Sequence, residues 1–261
     1  MTDDRTAIHS EMLELMSYHC DRTDHLSLWG LCRIFQEASA HDTDNSPIGY
    51  AELLQDGKGW VLTRMYYEMY SMPRMRDRVE VRTWSRGTDG LIAVREFLML
   101  SEQGEPLCSA STYWVVIDMM ARRVVRIKDL MASWPLCNDC ATSKESFSKL
   151  RLGAFDDDCC VAQVCASDAM IDHTQHVNNA EYIKMMSDNM PYEWRDATCR
   201  LGDNPTSVSR FDGTCFQIDF PAESKPSELL RLYKKEQDES MCFQVVNPRG
   251  VSAVARFQRL G

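Results

Sequence analysis

The sequence has no long apolar run. Its longest clean stretch, Val115 to Ile117 with its aromatic neighbours, is ended by Asp118, whereas a membrane-spanning helix needs about 20 consecutive apolar residues. The first residues, MTDDRTAIHSEM, contain no basic segment followed by an apolar one, the pattern that a secretory signal peptide requires. We therefore expect a cytoplasmic protein that does not work in a membrane.

The sequence also lacks an excess of positive charge. Its 29 Lys and Arg residues are outnumbered by 39 Asp and Glu, for a formal net charge of -10 at pH 7. This balance argues against nucleic acid as a partner. One local run is the exception, because four cations stand close together: Arg122, Arg123, Arg126 and Lys128. Such a run is usually a solvated surface, but it is also suited to docking an acidic partner.

A second metal-binding knuckle is missing. The chain has 11 cysteines, of which Cys137 and Cys140 form a C-x2-C pair, and a looser cluster of Cys159, Cys160 and Cys165 follows. A zinc ribbon needs two C-x2-C knuckles. Reduced thiols of a cytosolic chain are the simpler interpretation, so we expect neither a metal nor another cofactor.

What is present is a chain of 261 residues that resembles itself. With 44% hydrophobic and 26% charged residues it can bury a sizeable core, in one large domain or two smaller ones. Residues 22–42 can be laid over residues 170–190 at an offset of 148, which places Asp24-His25 on Asp172-His173. An amphipathic helix is predicted in both copies. Their apolar faces consist of Leu28, Leu31, Cys32, Phe35 and Ala38 in the first, and Val177, Ala180, Ile183 and Met186 in the second.

Strand patterns follow each predicted helix. Four runs with alternating apolar side chains lie within residues 60–118, and four more lie within 214–260. The stretch between the halves is polar and irregular. We predict an α+β fold in which each half wraps an antiparallel sheet around one long helix, with units at 1–136 and 158–261 and a linker at 137–157.

Residues 176–182 have the sequence HVNNAEY. This motif resembles the signature H-V-N-N-x-x-Y of the acyl-acyl carrier protein (acyl-ACP) thioesterases, double hot-dog enzymes that end fatty-acid synthesis. The first half resembles the family's first helix, with Gln-Glu-x-x-x-x-His at Gln36, Glu37 and His41. Residues 59–69 and 111–127 resemble later strands, so the resemblance covers nearly the whole chain in the right order. It implies a tandem hot-dog fold, with the first unit forming most of the acyl pocket and the second carrying the catalytic groups.

The resemblance also implies site residues. The family's Asp-x-Asn-x-His run falls on Asp172, Thr174 and His176, and a family Arg-Arg-Glu-Cys segment places Glu223 on the Glu and Ser224 on the Cys. Thr174 departs from the family Asn. Ser224 departs from the family Cys. A serine here does not fit a mechanism in which that Cys is a papain-like nucleophile, but it is compatible with a mechanism in which a general base activates water.

Thioester hydrolysis requires a base that takes a proton from water and donors for the oxyanion. We expect Glu223 to be the base and His176 to share or shuttle the proton. Asp172 is expected to close a tight turn, so that its carboxylate orients the imidazole or a backbone donor. Asn178, Asn179 and Ser224 are expected near the substrate, with free N–H groups at the helix start. A simpler alternative stays open for Asp172, Thr174 and Asn178, since each residue type also caps helices.

The sequence therefore predicts an acyl-ACP thioesterase that needs no cofactor, works as a monomer or homodimer and docks the acidic carrier through the basic run. With Thr in place of Asn at 174, we expect an active but slower enzyme. An acyl-CoA thioesterase of the same fold and a non-catalytic acyl-binding module are the alternatives.

Overall fold

The computed structural model describes residues 6–44, 46–191, 209–237 and 239–260. Within these ranges the chain forms three α-helices, α1 (Leu28–Thr43), α2 (Tyr50–Gln55) and α3 (Asn179–Asp188), and three short 3-10 helices. No helix in the described residues is long and apolar enough to cross a membrane. The strands are β1 (Ile8–Glu14), β2 (Lys58–Met69), β3 (Arg78–Thr88), β4 (Ala93–Ser101), β5 (Pro106–Asp118), β6 (Arg123–Val125), β7 (Cys160–Cys165), β8 (Thr214–Asp219), β9 (Leu229–Gln237), β10 (Ser240–Asn247) and β11 (Gly250–Arg259).

The described strands form one antiparallel sheet with an internal symmetry. Its order is β1-β3-β4-β5-β2-β8-β11-β10-β9-β7, with β6 added beside β5. The second five strands repeat the first five in mirror order, and the two units join where β2 pairs with β8, from Arg64↔Asp219 to Met69↔Thr214. The predicted α+β architecture, a sheet wrapped on a long helix in each half, is confirmed.

Both long helices lie on the same face of this sheet, as their apolar faces predict. Leu31 and Phe35 of α1 and Ile183 and Met186 of α3 are almost completely buried in one core that includes side chains from both units. The Nε1 atom of Trp29 in α1 donates a hydrogen bond of 2.7 Å to Glu181 in α3. The central helices of the two units are therefore in direct contact.

The segment between the units crosses the opposite face of the sheet. Side chains alternate along β2, so Glu68 points away from the helices, and it accepts hydrogen bonds from the backbone N and the hydroxyl of Ser143. Glu96 of β4 accepts from the backbone N of Ala141 at 3.1 Å. Phe147 stacks on Tyr113, with ring centroids 4.3 Å apart. Two buried carboxylates and an aromatic contact thus attach this segment to the sheet. The boundaries predicted at 137 and 157 stay a prediction.

The offset of 148 between the repeats is wrong, because the structural equivalence runs at 151. The backbone N of Asp21 bonds to the O of His25 just as Asp172 N bonds to His176 O. In both turns the residue before the histidine has a positive φ, 62° at Asp24 and 66° at Gln175. The first unit therefore contains the same Asp-x-Thr-x-His pattern as the second, and the equivalent of His176 is His25.

Candidate functional site

A tight turn precedes α3 and holds three of the predicted site residues. The Oδ1 atom of Asp172 accepts from the backbone N of Thr174 at 2.9 Å and from the Thr174 hydroxyl at 2.5 Å. The Asp172 backbone N donates to the O of His176 at 3.0 Å. With Gln175 in the left-handed region, the chain reverses and the His176 side chain emerges beside the helix start. Asp172 and Thr174 thus shape the backbone that carries His176.

The helix start is closed by Asn178. Its Oδ1 accepts from the backbone N of Ala180 at 2.9 Å, and its Nδ2 lies 3.5 Å from Asp172 Oδ2. An asparagine at this position satisfies one of the backbone N–H groups that lack a partner within the helix. Asn179 is the first residue of α3 and is half-buried. Asn178 therefore caps the helix and also contacts the turn.

Glu223 comes from the segment between β8 and β9, which is attached to the same turn. The backbone N of Val177 donates to the O of Ser224 at 2.9 Å. The carbonyl of Glu223 accepts from Asn247 Nδ2 at 2.9 Å and from Arg249 Nη2 at 2.8 Å. These bonds position the Glu223 backbone so that its Oε2 lies 3.0 Å from His176 Nε2. Two residues that are far apart in sequence thereby form a close acid–base pair.

This pair remains accessible and is flanked by the first unit. The side chains of His176 and Glu223 keep 32% and 41% of their surface exposed. Arg122, just before β6, places its Nη2 3.8 Å from Glu223 Oε1. Tyr50 of α2 meets His173 edge-on, with ring centroids 4.4 Å apart. The opening at His176 is therefore bordered by both units, and a cation stands beside the carboxylate.

The structure does not bring every predicted residue to this opening. The Ser224 side chain is fully buried, and its hydroxyl accepts from Asn247 Nδ2 at 3.0 Å. It thus faces the interior, where it helps to hold the segment that carries Glu223. Arg122, Arg123, Arg126 and Lys128 are all exposed, and Arg122 is the member of this run that reaches Glu223.

Sequence reasoning missed three neighbours of the site. Asn247 and Arg249 were not among the predicted site residues, although both bind the Glu223 carbonyl. Tyr50 lies in a short helix that was not predicted. The partner atoms belong to distant parts of the chain, so no local sequence pattern signals these contacts.

Comparison with known proteins agrees with this architecture. Residues 6–133 match the family model for the acyl-ACP thioesterase N-terminal domain. The chain is 26% identical over 201 residues to an oleoyl-acyl carrier protein thioesterase of Arabidopsis thaliana, covering 71% of this chain and 54% of that protein. It is 30% identical over 190 residues to an acyl-[acyl-carrier-protein] hydrolase of Cuphea viscosissima, covering 66% and 44%. The chain thus spans about half the length of these curated relatives.

Solved structures show the same fold. An acyl-ACP thioesterase from Bacteroides thetaiotaomicron superposes with a TM-score of 0.81 at 20% identity, and a 12:0-ACP thioesterase from Umbellularia californica with 0.76 at 19%. Each comparison covers 97% of both chains. The double hot-dog fold expected from the sequence is confirmed.

Proposed function

We propose that the chain, whose residues 6–133 match the family model for the acyl-ACP thioesterase N-terminal domain, is an acyl-ACP thioesterase that hydrolyses fatty acyl-ACP to a free fatty acid and the holo-carrier. The observation that carries this proposal is the accessible pair of His176 Nε2 and Glu223 Oε2, 3.0 Å apart beside the start of α3. A carboxylate beside an imidazole is a suitable base for activating water, which is the chemistry that a thioester requires.

In the proposed reaction Glu223 takes a proton from water as the water oxygen attacks the thioester carbon. His176, whose Nε2 lies 3.0 Å from Glu223 Oε2, orients the carboxylate and passes the proton on. The carbonyl oxygen becomes an oxyanion, and we assign its stabilisation to the backbone N–H of Asn179, the first residue of α3, because the neighbouring N–H groups already donate within the protein. When the intermediate collapses, the C–S bond breaks and the carrier thiolate receives the proton. The products are a fatty acid and the free thiol.

We assign Asp172 and Thr174 to positioning, because Asp172 accepts from Thr174 and its backbone N bonds to the His176 carbonyl. Asn178 and Asn179 lie at the helix start, where they border the space for the thioester carbonyl. Ser224 acts through its backbone, since its carbonyl accepts from Val177. We further propose that the exposed basic run receives the acidic carrier protein and that the first unit forms most of the acyl pocket.

The purified protein can be incubated with acyl-ACPs of several chain lengths while the release of free fatty acid is measured. This experiment tests the activity, the carrier and the preferred chain length together. Glu223→Gln and His176→Ala are each expected to lower kcat/KM about 10²- to 10⁴-fold, the usual contribution of an acid–base group. His173→Ala is the matched control, because this exposed histidine lies in the same turn but points to Tyr50, and it should retain activity.

The same assay separates the alternatives. Faster turnover of the same acyl group on CoA than on the carrier would replace the proposed substrate with acyl-CoA. Absence of hydrolysis with every substrate would favour a non-catalytic acyl-binding protein. Full activity in both Glu223→Gln and His176→Ala would overturn the proposed site.

A further inference from the structure

A second group of ionisable side chains lies in the first unit, where the edge strand β1 meets the end of α1. His9 and Glu11 are two residues apart on β1, so both point to the same face of the strand, and both are half-buried. His41 stands in the last turn of α1 and is half exposed. The metal-ligating atoms of His9, Glu11 and His41 all lie within 4.8 Å of one another, and these three form such a group within the described ranges.

We propose that His9, Glu11 and His41 form a binding site for a divalent transition-metal ion, with Zn²⁺ as the best-matched ion. Two imidazoles and one carboxylate form a ligand set that suits zinc, which then keeps a fourth position for water. Imidazole nitrogen also binds Co²⁺, Ni²⁺ and Cu²⁺, whereas Mg²⁺ and Ca²⁺ prefer oxygen ligands. The site would fasten the edge strand of the sheet to the central helix.

The distances suit such an ion. Glu11 Oε2 lies 3.5 Å from His9 Nε2 and 2.8 Å from His41 Nδ1. Zinc bonds of about 2.0–2.1 Å in a tetrahedral arrangement separate neighbouring ligand atoms by roughly 3.4 Å. A small opening of the contact between Glu11 and His41 would therefore admit the ion.

The His9 nitrogen supplies a second, independent observation. Its Nε2 atom is buried and makes no hydrogen bond, although it points at the Glu11 carboxylate. A buried polar atom without a hydrogen bond is costly unless something compensates it. A metal bound between His9 and Glu11 would satisfy this nitrogen through its lone pair.

The group is specific to the first unit. At the offset of 151, Glu11 on β1 corresponds to Ala162 on β7, since their partners Val81 and Leu232 are equivalent as well. The second unit therefore has the same strand pairing but an alanine, and no carboxylate, at the position equivalent to Glu11. Neither half of the proposed catalytic pair takes part in the group, so the inference does not depend on the proposed thioesterase activity.

Metal binding can be measured on the purified full chain with Co²⁺ and Zn²⁺ as probes. Wild type should bind Co²⁺ with a visible d–d spectrum of nitrogen and oxygen ligation, and Zn²⁺ should displace it and raise the Tm. Glu11→Gln and His41→Gln should lose both responses. His41→Gln is the safer variant, because His41 is half exposed and its replacement should not prevent folding.

The matched control is Cys137→Ser/Cys140→Ser, which removes the C-x2-C pair as a competing zinc ligand and should leave the Co²⁺ spectrum unchanged. Loss of metal binding in this control, or a Co²⁺ spectrum dominated by thiolate charge transfer, would overturn the proposal. So would an unchanged Co²⁺ signal in His41→Gln, or no binding by wild type. In that last case the three residues form an ion-pair cluster only.

Discussion

His25 and His176 occupy equivalent positions in the two repeats, yet only His176 has a carboxylate beside it. His25 is 1% exposed and its Nε2 makes no hydrogen bond. The residue equivalent to Glu223 is Met72, because Leu26 N bonds to the carbonyl of Pro73 just as Val177 N bonds to that of Ser224. The Asp-x-Thr-x-His turn is therefore a shared structural device, and the acid–base pair is a property of the second unit.

Thr174 and Thr23 can be compared directly, since each bonds through its hydroxyl to the aspartate two residues earlier. Thr174→Val and Thr23→Val should each lower stability by about 0.5–1.5 kcal/mol, or about 2–4 °C in Tm per kcal/mol. Only Thr174→Val should also slow hydrolysis, by less than about tenfold, because the turn carries His176.

Thr174→Asn extends this comparison toward the family residue and should hydrolyse at least as fast as wild type, since the amide can also donate to Asp172. A drop to background in Thr174→Asn would show that threonine is an adapted choice. A loss in Thr174→Val as large as in Glu223→Gln would contradict a purely positioning role. Thermal melts and initial rates decide both points.

Arg122 should affect substrates with and without a carrier, because it lies 3.8 Å from Glu223 Oε1. We expect Arg122→Gln to lower kcat/KM about 1.5- to 5-fold, the range for an exposed ion pair, on both acyl-ACP and an acyl N-acetylcysteamine thioester. Arg126→Gln should lower kcat/KM on acyl-ACP alone, since we propose that Arg126 acts only in docking. High salt should reduce the Arg126 effect. If Arg122→Gln lowered kcat/KM on acyl-ACP but not on the N-acetylcysteamine thioester, Arg122 would act in docking alone.

Glu68 and Glu96 should give the inter-unit segment opposite pH responses. Burial acts to raise the pKa of Glu68, but hydrogen bonds from Ser143, Tyr70 and Tyr66 lower it below its ordinary value of 4.5. Burial raises the pKa of Glu96 above 4.5, against hydrogen bonds from Ser111 and Ala141. The stability from Glu68 is complete above pH 4.5 and is lost as the pH falls through its lowered pKa. The stability linked to Glu96 is largest below pH 4.5 and declines as the pH rises through its raised pKa.

Melting curves of wild type, Glu68→Gln and Glu96→Gln from acid to neutral pH test this difference. The Tm deficit of Glu68→Gln should grow with rising pH, and that of Glu96→Gln should shrink. Parallel pH dependences in the two variants would show that the two carboxylates titrate alike.

Trp29 and Glu181 should be coupled, because their hydrogen bond joins the central helices of the two units. Trp29→Phe leaves a buried carboxylate without its indole donor, at a cost of about 1–3 kcal/mol. Adding Glu181→Leu should recover part of this loss, which a double-mutant cycle by chemical denaturation measures. Trp60→Phe is the control, because that indole bonds to the Ile48 carbonyl within the first unit. Additive effects of Trp29→Phe and Glu181→Leu would show that the two residues are not coupled.

Local patterns predicted most of the architecture. Alternating side chains located the long strands, and the apolar faces of α1 and α3 are buried as expected. Both patterns depend on neighbours in the chain and can therefore be read from the sequence. The offset between the two repeats could not be read correctly from the sequence. The dipeptide Asp-His occurs at 24–25 and at 172–173, and aligning these two copies gave the wrong offset. The true equivalence is defined by backbone hydrogen bonds and positive φ angles, which only the structure shows.

The sequence by itself determined the two-unit α+β frame and the turn that carries His176, because strand alternation, helix period and Asx-type capping are local. Only the tertiary structure decided which residues meet Glu223. The pairing of β2 with β8 joins the two units, and Arg122 of the first unit stands beside Glu223 of the second. Such contacts arise from pairing between strands that are distant in the sequence. Their energy depends on the distances between side chains in the folded protein, and residues adjacent in the sequence do not determine these distances.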